Sequence, residues 1–311
     1  MSFTGIVKSE ISQRLPLETE AISELSAIVR NIGKYDGNNI TITTENEDVA
    51  RHISKVMKDT YDLRFRISVR RGYNFDKNYL YVLTLHQKNQ LLLTDLGLIE
   101  NGKILIIPPE YIVADDDLVR AYLRGLFLAI GSINDPKKSR YHLEFVVNDK
   151  EYAFFVSDLL NQFRFNSKVL KRKNKYMIYM KESEKIGDFL RFMEASAAVL
   201  YYEDIRIYRD HVNMTNRLNN CEQANVDKTI QSANDQLRDI LFLKEVGALE
   251  LLDEKVKEAA LYREKYTEVS LVELSQIITM ETGHTITKSG LHHRLKKIKD
   301  LANKIREKQE K

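Results

Sequence analysis

Cysteine is nearly missing from this chain. Cys221 stands alone among 311 residues, which excludes an internal disulfide framework and a multi-cysteine zinc site. It fits a reducing cytoplasm. No apolar run reaches the roughly 18 residues that a transmembrane helix needs. The opening "MSFTGIVKSEISQRLP" lacks the long apolar core of a signal peptide and reads as a short amphipathic helix with Ser2 or Thr4 as N-cap. No Pro-rich or Gly/Ser-rich tract interrupts the chain, and only the tail after about Ala302 looks frayed. A strong charge bias is missing too. The net charge of +3 is too small to identify a partner, so any nucleic-acid signal must come from where the charges sit. What is present is a core-forming composition, 43% hydrophobic and 30% charged, in a chain long enough for two ordinary domains.

The first two-thirds contain a repeat. "LSAIVRNIGKY" (25–35) and "LRGLFLAIGSI" (123–133) share a pattern of L, small, apolar, apolar, then I-G. Each is followed by strand, helix, strand, strand: "NITITT", "NEDVARHISKVMKDTY", "LRFRISVRR" and "NYLYVLTLH" after the first, "HLEFVV", "NDKEYAFFVSDLLNQF", "SKVLKRK" and "KYMIYMK" after the second. Asn46 and Asn148 occupy matching N-cap positions. In the repeated helices Leu25, Ile28 and Ile32, and Leu123, Leu126 and Ile130, form apolar stripes. Gly125 and Ala129, matched by Ala27 and Asn31, leave room for a second backbone. Gly33 and Gly131 are expected at C′ in the left-handed conformation.

This duplication around a small-residue helix pair resembles the LAGLIDADG homing-endonuclease fold over roughly residues 20 to 200. The resemblance implies that an acidic residue just before the final glycine of each motif binds the catalytic metal, chemistry that needs hard oxygen ligands. Those positions here are Ile32 and Ile130. No catalytic residue and no metal site is expected. Asp115, Asp116 and Asp117 read as the cap and dipole partners of the following helix, and Asp135 before Pro136 as a turn.

Two strands carry basic residues. Arg64, Arg66 and Arg70 alternate with Phe65, Ile67 and Val69, which puts the arginines on one face and the apolar residues on the core. The counterpart carries Lys168, Lys171, Arg172, Lys173 and Lys175, less cleanly alternating. Such faces could track phosphates or be solvated.

After this region comes "NMTNRLNNCEQANVDKTIQSANDQ", rich in Asn and Gln. Arg209, Asn216, Arg217 and Asn225 in and beside it could contact phosphates or bases, or the segment could be a linker satisfying its own backbone through Asx turns. The C-terminus is helical. In "SLVELSQIITMETGHTITKSGLHHRLKKIKDLANKI", Ser270 and Glu273 form a capping box, Gly283 sits in the break, and Thr287 or Ser289 caps a second helix with Leu291, Leu295, Ile298 and Leu301 inward. The spacing predicts a helix-turn-helix. Its second helix offers Lys288, His292, His293, Arg294, Lys296 and Lys297 to DNA. Adjacent histidines point about 100° apart, and no carboxylate or cysteine sits at ligand spacing, so zinc is rejected.

The degenerate duplication, the connector "NRLNNCEQAN" and the terminal "ITKSGLHHRLKKI" together resemble the WhiA family of bacterial transcriptional regulators. The expected fold is α+β, a duplicated LAGLIDADG homing-endonuclease-like domain at 1–207 (repeats about 20–105 and 118–200) followed by a linker at 208–236, an all-α helix-turn-helix domain at 237–305 and a frayed tail at 306–311. The resemblance implies a non-enzymatic, cytoplasmic, nucleoid-associated protein, tied to sporulation or to cell division and chromosome segregation in a Gram-positive bacterium. It would bind promoter sites in double-stranded DNA, with another transcription factor or RNA polymerase as a further partner, no cofactor and no membrane. Three other readings stay open: an adaptor docking a division or transcription protein on the former nuclease domain, an active nuclease, and an RNA-binding protein.

Overall fold

The computed structural model describes residues 2–37, 39–71, 79–86, 90–138 and 140–309. The chain divides into two compact units, Met1–Arg209 and Asp210–Lys311. The expected strand at 78–86 begins at Tyr79 among the described residues, and its Asn78 lies outside them.

The first unit begins with α1 (Phe3–Ile11), where Ser2 is the cap, its side chain accepting from the Gly5 amide. The first repeat follows: α2 (Glu18–Ile32), β1 (Gly33–Tyr35), β2 (Asn39–Thr44), α3 (Glu47–Tyr61), β3 (Arg66–Arg71) and β4 (Tyr79–His86). After a short α4 (Gln90–Asp95) and the strand pair β5 (Ile99–Glu100) and β6 (Lys103–Ile104), the order recurs as α5 (Asp116–Ile130), β7 (Ser132–Ile133), β8 (Leu143–Val147), α6 (Lys150–Gln162), β9 (Lys168–Arg172) and β10 (Lys175–Met180). Helix α7 (Ser183–Phe192) and the start of α8 (Ser196–Glu245) complete the unit. The two four-stranded sheets have the same antiparallel topology, β1-β2-β4-β3 and β7-β8-β10-β9.

Helices α2 and α5 pack on each other at the centre. Leu25, Ile28, Leu123 and Leu126 are fully buried. Gly125 lies against the backbone of Glu24, and a Cβ there would collide with the Glu24 carbonyl. The absent side chain therefore sets how closely the two helices approach.

Gly33 and Gly131 are not left-handed. Their φ/ψ values are −78/137° and −65/141°, because each helix passes directly into a strand instead of turning back. Glycine is needed there for space: a Cβ would meet Val29 at Gly33 and Phe127 at Gly131. Asn46 caps α3 as expected, accepting from the Val49 amide at 3.1 Å. In the second repeat the cap is Asp149, not Asn148, since α6 starts one residue later and the Asp149 carboxylate accepts from Tyr152.

A charged network crosses this core. Arg124 on α5 donates from Nη2 to Glu20 at 3.0 Å and from Nε to Glu24, both on α2. His52 on α3 places Nε2 on Glu24 and Nδ1 3.0 Å from the Ser12 carbonyl oxygen. Burial alone would push the Glu24 carboxyl up, but hydrogen bonds and charge from His52 and Arg124 outweigh it and hold the group below its ordinary value. A buried carboxylate survives only with such partners.

The second unit contains the rest of α8, then α9 (Glu254–Lys265), α10 (Leu271–Thr282) and α11 (Lys288–Gln309). Its separate core joins Ile240 and Leu243 of α8, Val256 and Ala259 of α9, Leu274 and Ile278 of α10, and Leu291, Leu295 and Ile298 of α11. The expected linker at 208–236 is not irregular: it lies entirely inside α8. Its polar side chains follow helical spacing instead of forming Asx turns. Thr215 and Thr229 donate to the carbonyls of His211 and Asn225, and Gln223 donates to Asp227. The tail expected to fray from 306 also stays helical through Gln309, with Arg306 paired to Asp239 at 2.7 Å. No helix among the described residues is long and apolar enough to cross a membrane.

Candidate nucleic-acid interface

The turn between α10 and α11 is built by side chains. Ser270 and Glu273 make the reciprocal capping box of α10. Gly283 ends that helix at φ 72°, a conformation that favours glycine. Two threonines near the end of α10 then accept from the turn, Thr282 Oγ1 from the His284 amide at 3.2 Å and Thr279 Oγ1 from the Ile286 amide at 3.1 Å. Ile286 drops into the core. Thr287, not Ser289, caps α11, its hydroxyl accepting from the Gly290 amide at 3.1 Å.

Helical periodicity sorts the basic residues of α11. With Leu291, Leu295 and Ile298 buried, steps of about 100° per residue turn Ser289 and His293 outward. Lys288, Ser289, His292, His293 and Lys296 are all exposed. His292 and Lys296 line a groove of about 500 Å³ against Asp235 and Asp239 of α8. Arg294 and Lys297 do not join this face. Arg294 is half-buried and reaches α9, bonding Glu258 at 3.0 Å and the Lys255 carbonyl at 3.3 Å. Lys297 bonds the Asp253 carboxylate at 3.3 Å. That carboxyl is held below its ordinary range by the Val256 amide first and by Lys297 with it. Both side chains thus tie α11 to α9.

In the first unit the sheets place Arg66 and Arg70 on the face away from the helices, beside Ser68 and opposite Thr84 and Leu80. The expected burial of Ile67 and Val69 does not occur. They are 44% and 54% exposed, because β3 is an edge strand and, among the described residues, no helix packs over it. Phe65 alone of the three is buried, and Arg64 lies exposed in the approach to the strand. In the second sheet Lys168, Arg172 and Lys175 share the open face with Leu170 and Met177. Lys171 falls one residue out of phase and projects from the opposite face.

The connector residues separate as well. Arg209 donates to the Pro136 carbonyl at 2.6 Å and stacks 4.7 Å from the Tyr141 ring centroid, so it anchors α8 on the first unit's own loop. Asn216, Arg217 and Asn225 are exposed along α8.

Where the endonuclease pattern would place its acids, Ile32 and Ile130 are half-buried against the core. Two of the acids singled out from the sequence have other partners: Asp115 caps the opposite end of α5 through the Leu118 amide at 2.8 Å, and Asp135 accepts from the Lys137 amide at 2.9 Å. Thr4 of α1 donates to the Ile133 carbonyl at 2.8 Å and accepts from its amide at 2.9 Å, just past the end of α5. No cluster of three or more potential metal ligands occurs among the described residues.

Three family models match the sequence: the WhiA N-terminal LAGLIDADG-like domain over residues 18–99, the WhiA LAGLIDADG-like domain over 119–212, and the WhiA C-terminal HTH domain over 215–302. The chain is 39% identical to the "Probable cell division protein WhiA" of Lactiplantibacillus plantarum, covering 98% of this chain and 99% of that protein. It is 40% identical to the protein of the same name from Bacillus cereus, covering 98% of each. Among solved structures, the full-length DUF199/WhiA from Thermatoga maritima is similar with a TM-score of 0.58 at 26% identity, covering 98% of this chain and 99% of that one.

Proposed function

The chain belongs to the WhiA family, and we propose that it is a sequence-specific regulator of transcription that binds double-stranded DNA through α10 and α11. The observation that carries this reading is the pairing of a rigidly capped turn with an outward strip of Lys288, Ser289, His293 and Lys296 on the second helix. A helix presented this way can lay its N-terminal half along base edges while its first-turn amides and lysines hold phosphates. The relatives' name, cell division protein, supports a role in division, with chromosome segregation and sporulation as the other settings the resemblance implies. The chain acts beside DNA in the cytoplasm, at the nucleoid.

The nuclease-like unit does not cleave in this proposal. Two isoleucines at the acid positions supply no side-chain oxygen to a metal ion. Arg66, Arg70, Lys168 and Arg172 add salt-dependent affinity. One observation favours a further role for this unit: the edge strands β3 and β9 expose Ile67, Val69 and Leu170. Such edges suit docking of a protein partner, such as another transcription factor or RNA polymerase.

The test is retention of fragmented bacterial genomic DNA by the full chain at moderate salt, followed by sequencing. A shared short motif among the retained fragments is the expected result, and Ser289→Ala with His293→Ala should blur it. Retention of nothing, or of fragments without a motif, overturns the regulator reading in favour of an adaptor.

A further inference from the structure

A second feature of the C-terminal unit lies behind the outward strip. A cavity of about 200 Å³ is bounded by Lys228 of α8, Arg263 of α9, Ser270, Leu271 and Val272 at the start of α10, and Lys288 at the start of α11. No aspartate or glutamate lines it among the described residues. The Glu273 carboxylate nearby is occupied by the Ser270 amide in the capping box.

Arg263 is the anomaly. It is 1% exposed, yet no ion pair to it is found among the described residues. Its Nη1 donates to the carbonyls of Tyr266 at 3.2 Å and Val269 at 2.8 Å, and its buried Nε has no partner. Burial pushes its pKa down with nothing to oppose the shift. A buried cation without an anion is costly. Two lysines and the first turn of α10 converge on the same space; the Glu273 amide there is taken by Ser270, while the Leu271 and Val272 amides have no carbonyl partner within the helix. The cavity is smaller than the roughly 300–1,000 Å³ typical of sites for whole small molecules, so it suits one compact anionic group.

We propose that this cavity is a phosphate site, in which Arg263, Lys228, Lys288 and the first-turn amides of α10 hold one phosphate group, either of a DNA backbone or of free phosphate. The DNA source rests on the reading of the chain as a DNA-binding protein; the free source does not.

The experiment uses the full chain, wild type and Lys228→Gln, whose exposed side chain belongs to α8 and lies outside the α11 strip assigned to DNA. DNA affinity is followed across salt concentration, and thermal melting is followed in phosphate against chloride at equal ionic strength, the general stabilisation by phosphate being common to both proteins. With a backbone phosphate as occupant, Lys228→Gln lowers the slope of log affinity on log salt by about one, and its melting responds to phosphate as the wild type's does. With free phosphate as occupant, phosphate raises the wild-type melting temperature more than that of Lys228→Gln, and the salt slope is unchanged. An unchanged slope together with equal responses to phosphate overturns the proposal. If the wild type retains no DNA, the functional reading fails and the melting arm alone decides the site. Thr229→Glu places a carboxylate in the cavity wall. It should raise the melting temperature in chloride by giving Arg263 an anion, and a fall instead counts against the site.

Discussion

Glu24 shows how much one side chain can hold together here. It is fully buried, yet it joins three elements: α2 by its own backbone, α5 through Arg124 and α3 through His52. Glu24→Gln would leave the Arg124 guanidinium facing one carboxylate instead of two, with His52 facing an amide. Breaking a buried charged network from one side costs about 3–5 kcal/mol. Chemical denaturation of the variant should show a loss of that order, and a loss under about 1 kcal/mol would mean that the network contributes no more than a surface pair. The same residue predicts a pH dependence. Its folded pKa lies below the ordinary 4.5, so the unfolded state takes up the proton first as pH falls. Glu24 thus stabilises the fold fully above pH 4.5 and loses that contribution as pH falls through its lower folded value. Denaturation midpoints in acid should fall more steeply for wild type than for Glu24→Gln. None of this network could be read in the sequence, because nothing in the spacing of Glu24, His52 and Arg124 tells which helices meet. Arg263 was equally invisible, since a basic residue in a last helical turn ordinarily sits in solvent against the helix dipole.

Among the elements, those with a strong period were legible and those at margins were not. The 3.6-residue stripes of α2, α5 and α11 mark their buried faces correctly. Alternation in β3 gave the right face for Arg66 and Arg70 but a false core for Ile67 and Val69, since alternation does not reveal whether a strand is at an edge. The Asn-rich stretch inside α8 misled for a different reason. Each asparagine costs a helix only about 0.7 kcal/mol, which strong helical sequence on either side can override. Gly125 is the most exacting position in these elements. Gly125→Ala should push α5 from the Glu24 backbone and cost about 1–3 kcal/mol, measurable as a lower denaturation midpoint, while Ala129→Gly should be milder. In α11, Arg294 and Lys296 separate two roles two residues apart. Arg294→Ala should weaken binding to retained and random DNA alike, because it loosens α11 on α9. Lys296→Ala acts at the exposed face, so it should change affinity without shifting the denaturation midpoint. A selective loss on retained sites for Arg294→Ala would return that residue to the reading surface.

At the scale of the whole molecule, the question is what an endonuclease-like unit does without its acids. The repeat architecture, the twin central helices and the two isoleucines at their ends were all legible in the sequence, because a duplication fixes equivalent positions that can be compared. Their consequence for DNA is not a matter of the fold, since a fold hosts many functions. It depends on whether the open sheet faces meet phosphates. If they do, replacing Arg66, Arg70, Lys168 and Arg172 together by glutamine removes up to four cations that neutralise phosphates. The slope of log affinity on log salt should then fall by about 0.9 for each phosphate no longer neutralised, while the enriched motif stays the same. Lys171→Gln, on the opposite sheet face, should leave the slope alone. If the fourfold variant keeps the wild-type slope, the sheets do not touch DNA, and the edge strands β3 and β9 become the surface to assign to a protein partner. Plasmid nicking separates the remaining case. With magnesium present, supercoiled DNA should stay intact over the full chain, because a metal-dependent cut needs oxygen ligands that Ile32 and Ile130 cannot provide. Nicking that survives purification, and that vanishes on replacing an acid near the ends of α2 or α5, would show that the unit recruits its metal from other residues.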